Sequence, residues 1–528
     1  MGDGRLGTKA EFCFVFFILL ISMIGMTPKI CKVRASGTIY IRADGSIDHP
    51  TANITTADNI TYNFTDNNYD EIVVERDNIV IDGVGYTLEG PGAGIGIDLP
   101  DRSNVTITNV WIEDFSTGVY LNNSLQCHII ANSITGNADR GIWLAYSSYN
   151  SIVGNLVRNN GKGIQVYDYS DFNTITNNDI SLSDIAVDFQ RSRNCSISEN
   201  LITVLMYHGI HIHDWSHFNT ITGNNISGPD RGISLHHSSN CSISKNLIIA
   251  PGVYGISVYW DSNNNSVSVN HISAAGDEGI RLSGVRNNTI NGNSVSESVT
   301  GIHLSYSDNN NIYENNIRNN DCGIELSGSG SLNNTICHNN FVNNTSQVDS
   351  FISNNTWDNG FEGNYWSNYT GADSNLDGIG DTPHIISANN TDHYPLMGAF
   401  HSFNTTRGKY VNVISNSTVD SFRYFESNST IIMRVSNITV NQTHGFCRVS
   451  IPYEVMSEPF TVTIDGADPT HWNYTLYDNG ESRWIYFEYA HSTREVVIIP
   501  EFSSLIILPL FLMATLLATV FYRRKLRM

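Results

Sequence analysis

Positive charge is what this chain has least of: 29 Lys and Arg stand against 51 Asp and Glu, for a formal net charge of -22. That excludes nucleic-acid binding through a basic face and leaves basic partners or metal cations as the better match. Cysteine is sparse too. Eight occur in 528 residues, with no C-x-x-C spacing, which excludes a structural zinc site of the ordinary kind. G-x-S-x-G, P-loop and H-E-x-x-H sequences are absent, and so are leucines at helical spacing. Gly92-Ala93-Gly94-Ile95-Gly96 superficially looks like a nucleotide loop, but no helical pattern follows it.

What is present is a repeat. An asparagine returns about every 23 residues, at Asn132, Asn155, Asn178, Asn200, Asn224, Asn246, Asn270, Asn293, Asn315 and Asn339. A period of that length marks a solenoid, in which each repeat buries its apolar face only by stacking on its neighbours. The pattern around each is apolar-x-x-Asn-x-apolar, as in Ile197–Ile202. About nine residues later Gly-Ile-x-apolar follows, as in Gly141-Ile142-Trp143-Leu144 and Gly301-Ile302-His303-Leu304; one coil departs, with Asp184 in place of the glycine before Ile185.

Both elements alternate apolar with polar residues, the period-2 signature of short strands, and Gly, Asn, Ser and Asp mark the turns between them. Three strands per coil, each paired in parallel with its counterpart one coil on, predict an all-β, right-handed parallel β-helix. About 11 coils at ~4.8 Å give a rod on the order of 50 Å long. A leucine-rich repeat would need a helix in the return half of each coil, where this chain has a second alternating run. At a tight bend asparagine tolerates left-handed geometry and can bond the identical amide one coil away. Cys127, Cys195 and Cys241 each precede an inward isoleucine by two residues, so they share an interior row as small buried hydrophobes; a disulfide between adjacent coils stays open.

The ends give an address. Arg5 and Lys9, the apolar run Phe12 to Met26, and Ala35-Ser36 read as a secretory signal over residues 1–35, with a retained anchor as the alternative. Residues 36–90 are expected to cap the first coil, 91–345 to carry the repeats, and 346–400 to form a second cap with an acidic loop. From 401 to 499, alternating stretches such as Tyr410 to Ile414 and Trp484 to Tyr489 predict a small β-sandwich serving as a stalk. Ser503 to Tyr522 is long and apolar enough for a transmembrane helix, and Arg523, Arg524, Lys525 and Arg527 place its far end inside the cell. Roughly twenty N-x-S/T sequons, among them Asn104, Asn194, Asn240, Asn287, Asn416 and Asn437, are consistent with an exported glycoprotein.

Near the end of the repeats stand Gly363-Asn364-Tyr365-Trp366-Ser367, Asp373-Ser374-Asn375-Leu376-Asp377-Gly378-Ile379-Gly380-Asp381-Thr382-Pro383 and Asp392-His393-Tyr394-Pro395-Leu396. With these, residues 75 to 397 resemble the NosD-like β-helix proteins, also grouped as carbohydrate-binding and sugar-hydrolysis β-helix domains. The resemblance implies the fold. For activity it implies a choice among copper-delivery accessories, glycan enzymes and surface proteins. Pro500-Glu501-Phe502 with the apolar span and basic tail resembles the PEF-type C-terminal sorting signal of archaeal surface proteins, which implies cleavage by a sortase-like membrane enzyme; a plain anchor is the alternative.

Three groups of residues carry candidate chemistry. Asp373, Asn375, Asp377, Ile379 and Asp381 space oxygen ligands as the start of a calcium loop does, although His384 replaces the closing glutamate of an EF-hand. An outward column is read as Trp143, Gln165, Ala186, His211, Ser234, Ser257, Arg281, His303 and Glu325, with Tyr167, Asp188, His213, His236 and Tyr259 in the next. His211, His213 and His236 so placed can bind copper or zinc. On the same face Tyr167, Tyr259 and Trp260 can stack on sugar rings, and Asp168, Asp188 and Asp214 can accept hydroxyls or act as a catalytic carboxylate pair. The reading that fits best is an exported, membrane-tethered surface glycoprotein whose rod engages polysaccharide or envelope components; a polysaccharide hydrolase or lyase and a copper-binding accessory are the alternatives.

Overall fold

A computed structural model describes residues 37–500 apart from 205, 329, 351–352, 458 and 491, together with residue 513. The expected signal segment, residues 1–35, and the apolar span from Ser503 to Tyr522 lie outside the described residues, save Met513. Among those described, no helix is long and apolar enough to cross a membrane.

Each coil contributes one six-residue strand and two three-residue strands, for example Thr117–Asn122, His128–Ile130 and Ser133–Thr135. Corresponding strands pair in parallel along the chain into sheets of 15, 14 and 13 strands, so the return half of each coil is sheet and not helix. The alternation buries one face. Ile142, Ile164, Val187, Ile210, Ile233 and Ile256 are successive register partners, all fully buried. The rod has about 13 turns where the repeat count predicts about 11, because residues 38–90 already wind as coils. Thr38–Ile41, Glu71–Val74 and Ile95–Pro100 stack in parallel without the asparagine period. At this end Ile47–Asp48 and Ile54–Thr56 fold back antiparallel on the first strands of two sheets and cover their edges.

The periodic asparagines sit at the bend between the two short strands, buried. From Asn132 to Asn364 each Nδ2 donates to the next Oδ1 at 2.9–3.1 Å. A second file, not recognised from the repeat, runs along the bend after the long strand through Cys127, Asn150, Asn173, Cys195, Asn219, Cys241 and Asn265. Here the backbone N–H of Cys127, Cys195 and Cys241 each donates to the next asparagine Oδ1 at 2.8 Å. The three cysteines thus stand in ladder positions, never in adjacent coils, which rules out the disulfide left open above; their thiols are free, and burial pushes them up to about 11 to 12.

Past the repeats, the sequence signature closes the rod. Trp366 Nε1 and the Asn364 backbone N–H both donate to Asp392 Oδ2 at 2.8 Å, and Trp357 Nε1 donates to Asn390 Oδ1 at 2.9 Å. Residues 399–500 form two antiparallel sheets of five and four strands. Val411, Val413, Ile431, Met433, Phe487 and Ile498 fill the space between them. This sandwich is welded to the rod's end: Ile379, Leu396 and Phe400 pack against Ile414, Phe446 and Tyr486. Beside that contact Glu362 accepts from Arg448 Nε at 2.8 Å and Trp484 Nε1 at 2.9 Å, with His338 Nε2 at 3.1 Å.

Candidate functional site

The departing coil decides the site. Register pairs Gln165 with Asp188 and Asp188 with His211, while Ala186 takes the place of the glycine that precedes the inward aliphatic residue. Asp188, not Ala186, therefore stands in the outward column with His211, and Gln190 takes the place beside Tyr167 and His213. The signal was in the sequence: the periodic asparagine precedes the inward aliphatic by nine or ten residues in every coil, which selects Val187 and not Ile185 after Asn178.

That two-residue shift assembles a cluster. Asp188 is almost fully buried, and its Oδ1 lies 3.2 Å from both His211 Nδ1 and His213 Nε2. Its Oδ2 accepts from Lys162 Nζ at 2.7 Å and Gln165 Nε2 at 3.0 Å. Burial by itself would raise this carboxyl, but the two imidazoles and the ammonium hold it far below the usual carboxylate range. His208 and His211 stack at 4.3 Å, as do His211 and His213. Burial, with His211 and Arg231 nearby, lowers His208 to about 3, and burial lowers His211 as well. Asp188, His211 and His213 are the one group among the described residues whose ligand atoms gather as for a metal, all within 4.8 Å of one another. His236, expected as the third ligand, is outside this group; its ring stacks on Tyr259 at 4.8 Å.

The other expected residues share the face without converging. Asp214 Oδ2 accepts from Gln190 Nε2 at 2.7 Å and sits 3.3 Å from His213 Nδ1. Asp168 Oδ1 lies 3.0 Å from Arg191 Nε. Asp168 and Asp214 follow the same column two coils apart, about 10 Å along the rod, with Arg191 between them. Tyr167 and Tyr259 are four coils apart, about 19 Å, and bracket the cluster. The calcium expectation fares differently. Asp373 accepts from the backbone N–H groups of Asp377 and Gly378, Asp377 from that of Ile379, and Asp381 from that of Ser374. These carboxylates thus bond the loop's own backbone N–H groups.

One feature of the face was anticipated only at Trp260. The bend beyond the long strand carries Tyr146, Tyr169, Trp215, Trp260 and Tyr306, each more than half exposed. All five have φ between 47° and 65°, the left-handed region that bulky residues seldom occupy. The bend's geometry turns their rings outward, making an aromatic rim beside the polar column. Of these the sequence reading named Trp260; it missed Tyr146, Tyr169, Trp215 and Tyr306 because they occupy turn positions, not strand positions.

Residues 189–371 match the family model described as periplasmic copper-binding protein (NosD), and residues 39–226 match the one described as right handed beta helix region. No curated protein matches the chain in sequence. Similar solved structures include the mannuronan C-5 epimerase AlgE6 A-module of Azotobacter vinelandii, at 14% identity over 55% of this chain and 90% of that one, TM-score 0.39. The periplasmic alginate epimerase AlgG aligns at 15% identity over 61% and 82%, TM-score 0.40. A tailspike protein of E. coli bacteriophage HK620 aligns at 10% over 82% and 74%, TM-score 0.38. From the family matches and the observed coils, this chain is a right-handed parallel β-helix protein, with residues 189–371 matching the NosD model.

Proposed function

We propose that the long-sheet face binds polysaccharide, on a protein exported and tethered at the cell surface. The observation that carries this reading is the rim of exposed rings, Tyr146, Tyr169, Trp215 and Trp260, flanking a column of polar groups spaced one coil apart. Aromatic faces stack on pyranose rings, while Asp, Arg, Lys and His beside them accept and donate to hydroxyls. Trp215 and Trp260 lie on either side of His237, whose ring is 6.4 Å from one and 6.1 Å from the other, giving one continuous platform. Titration calorimetry against a panel of neutral and uronic-acid polysaccharides tests the proposal. Trp215→Ala and Trp260→Ala should each weaken binding about tenfold, the size of one lost stacking contact. Unchanged affinity in both variants would sink it.

A second reading has its own support in Asp188, His211 and His213. Nitrogen-to-oxygen separations of 3.2 Å are close to the ~3.4 Å edge between ligands about 2.1 Å from a tetrahedral ion. Two imidazoles and a carboxylate suit copper or zinc, and the matching family is described as copper-binding. Lys162 occupies only Oδ2, which leaves Oδ1 for the ion. Copper or zinc alone, added to the whole protein, should bind stoichiometrically and be lost in His213→Ala; retention in that variant rejects the site. A hydrolase or lyase using Asp168, Asp188 and Asp214 is less well supported, since Asp188 is buried with Lys162 and Gln165 bonded to its Oδ2, and Arg191 separates the other two.

A further inference from the structure

Three to five coils beyond the His208–His213 strand, three adjacent long strands, Glu278–Ser283, Thr300–Ser305 and Cys322–Ser327, carry a second relay on the same face. His303 Nε2 is 2.6 Å from Ser327 Oγ, and His303 Nδ1 is 2.5 Å from Glu278 Oε1. Glu278 is buried and anchored, because Arg281 Nη1 bonds both of its oxygens at 3.1–3.2 Å and Tyr254 Oη at 2.9 Å. His303 is buried as well, while Ser327 remains partly open to solvent. Glu325 is the remaining acidic group near His303 Nε2, at 3.7 Å, well outside the distance of the serine hydroxyl.

A hydroxyl bonded to one imidazole nitrogen, with a carboxylate fixing the other, is the arrangement that activates a serine nucleophile on unrelated folds. Chain order here is Glu, His, Ser, one per coil, so stacking register builds the relay without any local motif. The other serines of the same column, Ser283 and Ser305, are the successive register partners leading to Ser327. Ser305 is thereby the register neighbour of Ser327, one strand spacing away.

We propose that Ser327 is a nucleophile, His303 its general base and Glu278 the positioning residue for hydrolysis of a carboxylic ester. Resting on the polysaccharide reading above, the substrate class is an O-acylated sugar. Ser327 Oγ bonds to the acyl carbon as its proton passes to His303 Nε2. The bond from the acyl carbon to the sugar oxygen then breaks, and that oxygen leaves with the proton from His303. Water then attacks the acyl carbon as His303 takes its proton, and His303 returns that proton to Ser327 Oγ as the bond from the acyl carbon to Ser327 breaks, releasing the carboxylic acid and regenerating the Ser327 hydroxyl.

The whole protein treated with a fluorophosphonate probe should carry the adduct on Ser327, located by peptide mass mapping. Hydrolysis of p-nitrophenyl acetate should fall about 10²–10⁴-fold in Ser327→Ala and His303→Gln. Glu278→Gln should slow it and shift its pH profile, with partial rescue by Glu278→Asp. No adduct on Ser327 in the folded protein, or labelling unchanged in His303→Gln, overturns the assignment. Neither probe requires glycan. Ester cleavage without polysaccharide binding would therefore reject the platform and keep the relay, and binding without labelling would do the reverse.

Discussion

A single buried asparagine here does the work of several ordinary contacts. Asn224 Oδ1 accepts from the Nδ2 and the backbone N–H of Asn200, while its own Nδ2 donates to Asn246 Oδ1 and the Ile197 carbonyl. Removing it leaves the buried Nδ2 and N–H of Asn200 without their acceptor and takes a donor from the Ile197 carbonyl, all in the preceding coil, and from Asn246 Oδ1 in the next. Asn224→Ala should therefore cost about 2–4 kcal/mol, more than the ~1 kcal/mol of one hydrogen bond, because unmet buried groups carry their full desolvation penalty. Chemical denaturation checks this, and a loss below about 0.5 kcal/mol would show that the ladder relaxes around the gap. The ten periodic asparagines were legible from spacing alone. The parallel file was not, since Cys127, Cys195 and Cys241 interrupt it and a thiol breaks the pattern while fitting the space.

At the scale of the strand, close approach of coils explains the glycine that opens each long strand. A Cβ on Gly232 would lie 2.5 Å from the Gly255 carbonyl oxygen and 2.7 Å from Ile248 Cγ2. Backbone cannot yield there without parting the two coils. Gly232→Val should lower stability by about 1–3 kcal/mol or more, whereas Ala186→Gly, in a coil that already accommodates a methyl group, should change it by less than about 1 kcal/mol. Equal effects at the two positions, measured by thermal melting, would contradict the register. Reading Asp184 as the missing glycine displaced the whole strand by two residues. It kept the correct residues facing outward, since the strand period is two, but assigned Asp188 to the wrong column. Asp188 joins His211 and His213 for that reason, while the His236 ring stacks on Tyr259.

For the whole molecule, the sandwich is fixed to the rod through a buried charge. Burial would raise Glu362, but His338 and Arg448 hold it down at about 2. A carboxyl lowered on folding adds stability that is complete above its unfolded value of about 4.5 and is lost as pH falls toward 2. Glu362→Gln should thus be about 3–5 kcal/mol less stable than the natural protein near neutrality, with Arg448 left unpaired. The difference should shrink between about pH 4.5 and 2 as Glu362 takes up a proton. A gap that stays constant over that range would show the junction to be held by Ile379, Leu396, Phe400 and their apolar partners alone.

Alternation, turn residues and a fixed period are local properties of the chain, and they were enough to determine a parallel β-helix with stacked asparagines, an outward face and a sandwich after it. The extra coils before residue 91 escaped because irregular spacing between strands such as Glu71–Val74 and Ile95–Pro100 leaves no period to count. Only the tertiary structure decided which side chains meet across coils. Asp188 with His213 and Glu278 with Ser327 are 25 and 49 residues apart, and their contact depends on how each coil's length sets the register of the next. It also decided that turn residues such as Trp215 point outward, because left-handed backbone at the bend, invisible in composition, aims the ring away from the core.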